Sequence, residues 1–418
     1  MKQGYLSQYF KGVAVKTLSA VEADPIKSNQ HEFNGVAPLK KIFGVEKQKF
    51  ETRFIYLSDS IDEPLTDDGF LTWYESRKPP RSEYRMYYSA TTISKCASIG
   101  DDLFICLKPD NSILAIVAEN CSTIANQIRW LFGVSKSPHP NFSIRENLES
   151  EQDRIAFASR LILEQIGIEV KADGKEESYL EDMLHLFAGG FPKTKEFSAY
   201  ARSTLSNVSP LDNPDTVLLS WMEREEILFR TLEKHLIAEH LSSGDFFVKP
   251  DSDGALNVDV DGFISYSLSI QNRRKSRVGQ ALENHVEQLF ASRGIQYDRA
   301  KITENKAKPD FIFPGIKQYH DNTFNITLLT MLGVKSTCKD RWRQVLTEAD
   351  KIQNKHLLTL EAAISENQTT QMQSQNLQLV IPVDILSTYS ESQQKCLMNL
   401  DNFIRLIFKK QSSALTAF

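Results

Sequence analysis

Cysteine is scarce and poorly spaced for chemistry. The 418 residues include five, Cys96, Cys106, Cys121, Cys338 and Cys396. No two of them form a C-x-x-C pair, so neither a zinc site nor a disulfide framework is indicated, and reduced thiols are expected. Long apolar runs are also missing, since nothing approaches the roughly 18 consecutive apolar residues of a membrane-spanning helix. Lys11 and Lys16 break up the apolar residues around Val13–Val15, so a secretory signal is not expected and a cytoplasmic location is. No internal repeat is found. An excess of positive charge is lacking as well: the net charge is −5. Contact with a polyanion would therefore have to come from local patches.

What is present suffices for several cores. The apolar fraction of 41% is that of an ordinary globular chain, and the length implies two or three domains. Three regions differ in pattern. Residues 1–140 hold short runs rich in β-branched and aromatic residues, at 54–57, 70–74, 84–88, 103–107 and 113–118, then a helical pattern at 123–132. A β-barrel-like domain is expected there. Residues 141–245 turn helical, with apolar residues three and four apart over 151–166, 177–186, 195–205 and 214–240. Residues 246–418 mix both patterns: a polar turn at 249–262, a helix over 269–290, strands at 311–313, 326–334 and 377–383, a loop at 366–376 and a closing helix at 394–409. The expected fold class is thus α/β and mostly-β, multidomain, ending in an α/β domain with a central mixed sheet.

Two polar loops in the first region, Lys27–Glu32 and Arg77–Arg85, combine arginine with asparagine and glutamine. Those side chains match guanine and adenine edges in the major groove, although solvated loops have the same composition. The run Gln271–Arg277, with Arg273, Arg274, Lys275 and Arg277, places a dense positive cluster at the expected entrance of a helix. That would suit phosphate contacts, and equally a solvated basic surface.

The densest chemistry lies between Lys308 and Lys351. Asp310 opens one strand, Lys335 ends the next, and the helical run 341–351 carries Glu348. Two carboxylates and a lysine on neighbouring strand ends can hold a divalent metal and orient a water beside a phosphodiester. Mg²⁺ takes only one or two protein acids, so Asp310 and Glu348 suffice in number. The common nuclease pattern is P-D, then (D/E)-x-K. Pro309-Asp310 and Lys335 match it, but Gly333 stands where the second acid belongs. Glu348 is the nearest acid able to replace it. A helix starting near Asp340 would align Arg341, Val345 and Glu348 on one face.

The wording of these segments adds a resemblance. N-R-R-K-S-R-x-G at 272–279, L-E-x-H-x-E-x-L-F at 282–290, K-P-D-F-x-F-P at 308–314, Y-H-D at 319–321 and M-L-x-V-K-x-T-C-K-D-R-W-R-Q-x-L-x-E-A-D-K-I at 331–352 resemble the catalytic domain of the EcoRII-type restriction endonucleases. The resemblance implies a PD-(D/E)xK-type domain that cuts both strands of double-stranded DNA with Mg²⁺. Asp310, Lys335 and Glu348 would form the site, with Glu283 as a weaker metal-site candidate. Lys339, Asp340, Arg341 and Arg343 would read C:G pairs, in a site such as CC(A/T)GG, and Arg274 and its neighbours would lie along the DNA. More loosely, N-Q-H-E-F-N-G and P-R-S-E-Y-R resemble the arms of that family's N-terminal DNA-binding (effector) domain. On that mapping Lys16, Gln30, His31, Arg81, Glu83 and Arg85 would approach DNA, at a second copy of the site. A homodimer and a cognate DNA cytosine methyltransferase are the implied partners. A repair or recombination nuclease with the same core, or a non-catalytic DNA-binding regulator, are the alternatives.

Overall fold

The structure is a computed structural model that describes residues 2, 4–23, 31–61, 63–77, 80–170, 179–243, 248–250 and 256–416. The chain divides into two compact units. One comprises residues 1–170 with 362–369 and 388–390, and the other 171–361 with 370–387 and 391–418.

The first unit is built on a large curled sheet of eight strands. They are β1 (Gly12–Thr17), β2 (Glu32–Gly35), β3 (Gln48–Leu57), β4 (Leu65–Arg77), β5 (Glu83–Tyr88), β6 (Asp102–Leu107), β7 (Ile113–Ala118) and β8 (Ser143–Arg145), in the order β2-β5-β4-β3-β7-β6-β1-β8. All neighbours are antiparallel except β3 and β7. In β3, Phe50, Thr52 and Phe54 are buried while Glu51 and Arg53 are exposed, the two-residue alternation of a strand with one wet face. The near-continuous apolar runs of β6 and β7 are buried along their whole length, as central strands covered on both faces require. Trp73, Phe50, Phe54, Leu71, Ile105 and Val117 belong to the core on one face. The helix Thr123–Phe132 starts where the Ser122 hydroxyl accepts from the Ala125 N–H, and stops at Gly133, whose φ of 58° is left-handed. Strands β3 to β7 contain the five runs expected from sequence. Strands β1, β2 and β8 were not expected.

The second unit contains the helices Leu180–Leu186, Thr194–Ser203, Pro214–Ser242 and Val260–Ser292, and a hairpin of β9 (Val248–Pro250) and β10 (Leu256–Val258). Its main sheet has five strands in simple order: β11 (Asp298–Arg299), β12 (Phe311–Phe313), β13 (Thr330–Lys335), β14 (Lys355–Thr359) and β15 (Leu377–Val380). The first two pairings are antiparallel and the last two parallel. Phe290, near the end of helix Val260–Ser292, meets Phe311 and Phe313 edge-on at 5.3 Å each. Phe403 of helix Leu400–Thr416 closes the cluster against Phe313 at 5.9 Å.

Several element boundaries differ from expectation for local reasons. The polar turn at 249–262 ends in a helix cap, where Asp259 accepts from the Gly262 N–H at 2.9 Å. The helix therefore begins at Val260, and Gln271–Arg277 lies in its middle rather than at its entrance. The expected strand 326–334 begins only at Thr330, because Asn325 caps a 3-10 turn over Ile326–Leu328. Residues Glu366–Ser374 are helical rather than loop, and their glutamines are good helix formers. The expected helix over 151–166 is helical only over Phe157–Gln165, after a 3-10 turn at Glu151–Asp153.

Candidate active site

The antiparallel register of β12 and β13 pairs Phe311 with Leu332. Extending it back one residue sets Asp310 beside Gly333, at the end of β13 that carries Lys335. One Asp310 oxygen, Oδ2, accepts from the Val334 N–H at 2.6 Å and from Lys335 Nζ at 2.8 Å. Both side chains are largely covered, 15% and 19% exposed, so this contact is stronger than a surface ion pair.

Glu348 completes the group by a different route from the expected one. Residues Lys339–Arg341 form a 3-10 turn and Trp342–Leu346 a short helix, so Glu348 sits in the turn beyond the helix and not on its face. Its carboxyl titrates high, pushed up to about 7, first by burial and then by the negative charge of Asp310; Lys335 pulls the other way. Its Oε2 is buried without a hydrogen-bond partner. An orphaned carboxylate oxygen beside a second acid and a lysine is an incomplete arrangement that a divalent cation would complete. No group of three or more His, Cys, Asp or Glu among the described residues is placed to hold a metal.

Gly333 explains why the acid moved. A Cβ built there would stand 2.9 Å from Val345 Cγ2 and 3.1 Å from its Cγ1. The short helix packs its valine directly on the strand backbone, and a carboxylate at position 333 has no room. The residues that deliver Glu348 thus fill the usual place of the second acid.

Glu283 is close enough to feel Asp310 and Lys335, and burial raises its pKa. It is, however, engaged with Arg299 Nη2 at 2.8 Å, while Arg299 Nη1 holds Glu287 at 2.7 Å. Arg299 lies on β11, and the sequence offered no signal for it.

The segment after Lys335 is anchored where the Cys338 N–H donates to the Glu361 carboxylate. Lys339 follows with a left-handed φ of 27°, and Arg341 and Arg343 are exposed, Arg343 lying over the Trp342 ring at 4.7 Å. For Asp340 only the backbone is described.

The basic cluster does not form a free phosphate-facing patch. Arg277 is buried, stacked on Phe229 at 4.3 Å and donating to the Pro192 carbonyl at 2.8 Å. Arg274 Nε binds the buried Glu233 at 2.6 Å, and Arg273 covers the Phe191 ring at 3.8 Å. Lys275 is exposed. The cluster lies in mid-helix, so most of it turns toward the helix Pro214–Ser242 and its neighbours.

The first-unit candidates separate in the same way. Lys16 is fully buried on β1, bonded to Glu22 and to His139 Nδ1 at 3.1 Å, which corrects its expected place on a DNA-facing arm. Gln30 lies outside the described residues. Arg85 binds Glu83 at 2.7 Å and Glu32 at 3.2 Å on strands β5 and β2. Arg81 is exposed, and His31 meets Tyr88 edge-on at 5.4 Å. Arg77, at the start of the polar loop Arg77–Arg85, joins them through Glu83 at 3.3 Å, and with Glu32, Tyr74, Ser76 and Arg85 it lines an open cleft.

Comparison with known proteins bears on the second unit. Residues 229–404 match the family described as EcoRII C terminal. Over 215 residues the chain is 41% identical to the type II restriction enzyme EcoRII of Escherichia coli, a stretch covering 51% of this chain and 50% of that protein. The chain thus spans about half the length of the curated relative it matches. Among solved structures, it resembles metal-depleted Ecl18kI in complex with uncleaved, modified DNA, with a TM-score of 0.45, 18% identity, and coverage of 57% of this chain and 85% of that one. It also resembles the restriction endonuclease PspGI–substrate DNA complex, with a TM-score of 0.40, 17% identity, and coverage of 52% and 94%. Asp310, Gly333, Lys335 and Glu348 all lie within the matched residues 229–404.

Proposed function

We propose that the chain is a type II restriction endonuclease of EcoRII type, which makes Mg²⁺-dependent cuts in both strands of DNA at CC(A/T)GG or a close relative. The observation that carries the reading is the convergence of Lys335 Nζ and the Val334 N–H on one Asp310 oxygen, in the field of a Glu348 carboxylate whose Oε2 has no hydrogen-bond partner. Asp310 and Glu348 would hold the metal, with Glu283 in reserve behind Arg299. When bound, Mg²⁺ polarises the scissile phosphate and lowers the pKa of an attacking water. The protein supplies the rest. Lys335 orients the water and offsets the charge developing on phosphate, and the Val334 N–H fixes the Asp310 rotamer. Burial of the three groups strengthens each of these interactions.

Lys339, Asp340, Arg341 and Arg343 are the residues proposed to read C:G pairs, Arg and Lys at guanine O6 and N7 and Asp at cytosine N4. His31, Arg81, Glu83 and Arg85, with Gln30, are proposed to contact a second copy of the site. The working form would be a cytoplasmic homodimer, paired with a cytosine methyltransferase that protects the same sequence.

The test is digestion of a plasmid carrying CC(A/T)GG sites by purified protein with Mg²⁺. Discrete fragments are expected, ended at that sequence by run-off sequencing. Lys335→Ala should lower cleavage at least ~100-fold while leaving DNA affinity largely intact. DNA left uncut sinks the proposal, and binding without cleavage would make the protein a regulator. Smeared or structure-dependent products would point instead to a repair nuclease.

A further inference from the structure

Lys355 has no part in the site as described so far. It is the first residue of β14 and is 7% exposed. A buried ammonium needs strong partners, and this one has two carbonyls of a single turn: Lys355 Nζ donates to Ala349 O at 3.2 Å and to Ile352 O at 3.0 Å. That turn begins at Glu348. Ala349 is fully buried with φ 52°, a left-handed conformation that a non-glycine residue holds only when its surroundings enforce it.

The turn is also held elsewhere. Upstream, the Glu348 N–H donates to Val345 O at 3.2 Å, and Val345 is seated against Gly333. On its outer side, Glu304 Oε2 accepts from the Asp350 N–H at 3.3 Å. These contacts restrain the backbone. Lys355 couples it to β14, the strand paired in parallel with β13, which carries Lys335.

We propose that Lys355 is a positioning residue for Glu348: its buried ammonium ties the 348–352 turn to β14 and so aims the Glu348 carboxylate toward Asp310 and Lys335. The proposal rests on the reading of Asp310 and Glu348 as metal ligands. The electrostatics agree with the geometry, since the charge of Lys355 favours the ionised form of Glu348.

The experiment measures Mn²⁺ binding to the full-length protein by electron paramagnetic resonance of the free ion, alongside the Mg²⁺ dependence of cleavage. Lys355→Met removes both hydrogen bonds, and should weaken Mn²⁺ binding about 10-fold or more, the scale for losing a group that orients a metal ligand. The Mg²⁺ concentration for half-maximal cleavage should rise by a similar factor, while DNA affinity without metal stays within about 2-fold. Lys355→Gln keeps donors for the turn but reaches less far, and should lose roughly 3-fold. A folded Lys355→Met protein that binds Mn²⁺ like the wild type overturns the proposal. If Lys355→Met does not fold, Lys355→Gln decides: a loss supports the role and wild-type affinity overturns it. Wild-type protein that neither binds Mn²⁺ nor cuts DNA instead marks failure of the functional reading, and the positioning role fails with it.

Discussion

Glu348 has the most unusual environment of the site residues. Its pKa of about 7 arises from burial and from Asp310, both of which disfavour the anion that a metal needs. Metal affinity should therefore be fully present above about pH 8 and fall as the pH drops through 7, by up to ~10-fold per unit. Mn²⁺ titrations at pH 6 and pH 8 would check this, and Glu348→Gln should show weak, nearly pH-independent binding. In the metal-free protein the sign is the opposite one for stability. The ionised form is the costly one, so Glu348 detracts from stability above about pH 7, and this penalty disappears on acidification toward the ordinary carboxylate range. At this scale the sequence was legible for Asp310 and Lys335, because strand ends mark themselves by turn residues and apolar runs. It was misleading for Lys16 and Arg277. Lys16 was placed near DNA by resemblance and Arg277 by its basic neighbours, and only the fold reveals the buried Glu22 or the aromatic ring that holds them.

At the scale of elements, the decisive contact is between β13 and the short helix Trp342–Leu346. Gly333→Ala would drive a methyl group into Val345 and should cost about 1–3 kcal/mol by overpacking. Adding Val345→Ala makes room, so the double variant should be less destabilised than the sum of the two single changes by about 0.5–3 kcal/mol. Urea unfolding of the four proteins measures that coupling, and strict additivity would mean that the two residues do not share the slot. The sequence showed Gly333 as a departure from the nuclease pattern but gave no reason for it. The reason is a contact with a residue on the following helix, which no pattern of neighbouring residues displays. The same limit explains the helices. Periodicity located Thr194–Ser203 and Pro214–Ser242 to within a few residues, yet the start of Val260–Ser292 was hidden by a polar stretch whose Asp259 cap reads equally as a turn.

For the whole molecule, the chain's two units rest on different kinds of legibility. The eight-stranded sheet declared itself through aromatic and β-branched runs, but β2 and β8 are only four and three residues long, and β1 carries no aromatic residue and ends in Lys16-Thr17. The five-stranded sheet was found through its chemistry. Among the described residues no helix is long and apolar enough to cross a membrane. Each chain carries one Asp310–Lys335–Glu348 group, and on the proposed function one such group would cut one strand. Scission of both strands in a single encounter therefore calls for two chains, and sedimentation with a site-bearing duplex should give twice the mass of one chain. A monomer under those conditions, with nicked circles accumulating before linear DNA, would point to sequential cutting.

The path from Lys339 to Glu348, nine positions on, also has a kinetic consequence. Since the acid is delivered by the segment proposed to touch the bases, an incorrect base pair that displaces the segment would displace the acid as well. Discrimination would then be expressed in turnover more than in binding. Such an enzyme tolerates encounters with near-cognate DNA, because it is disarmed while it is bound there.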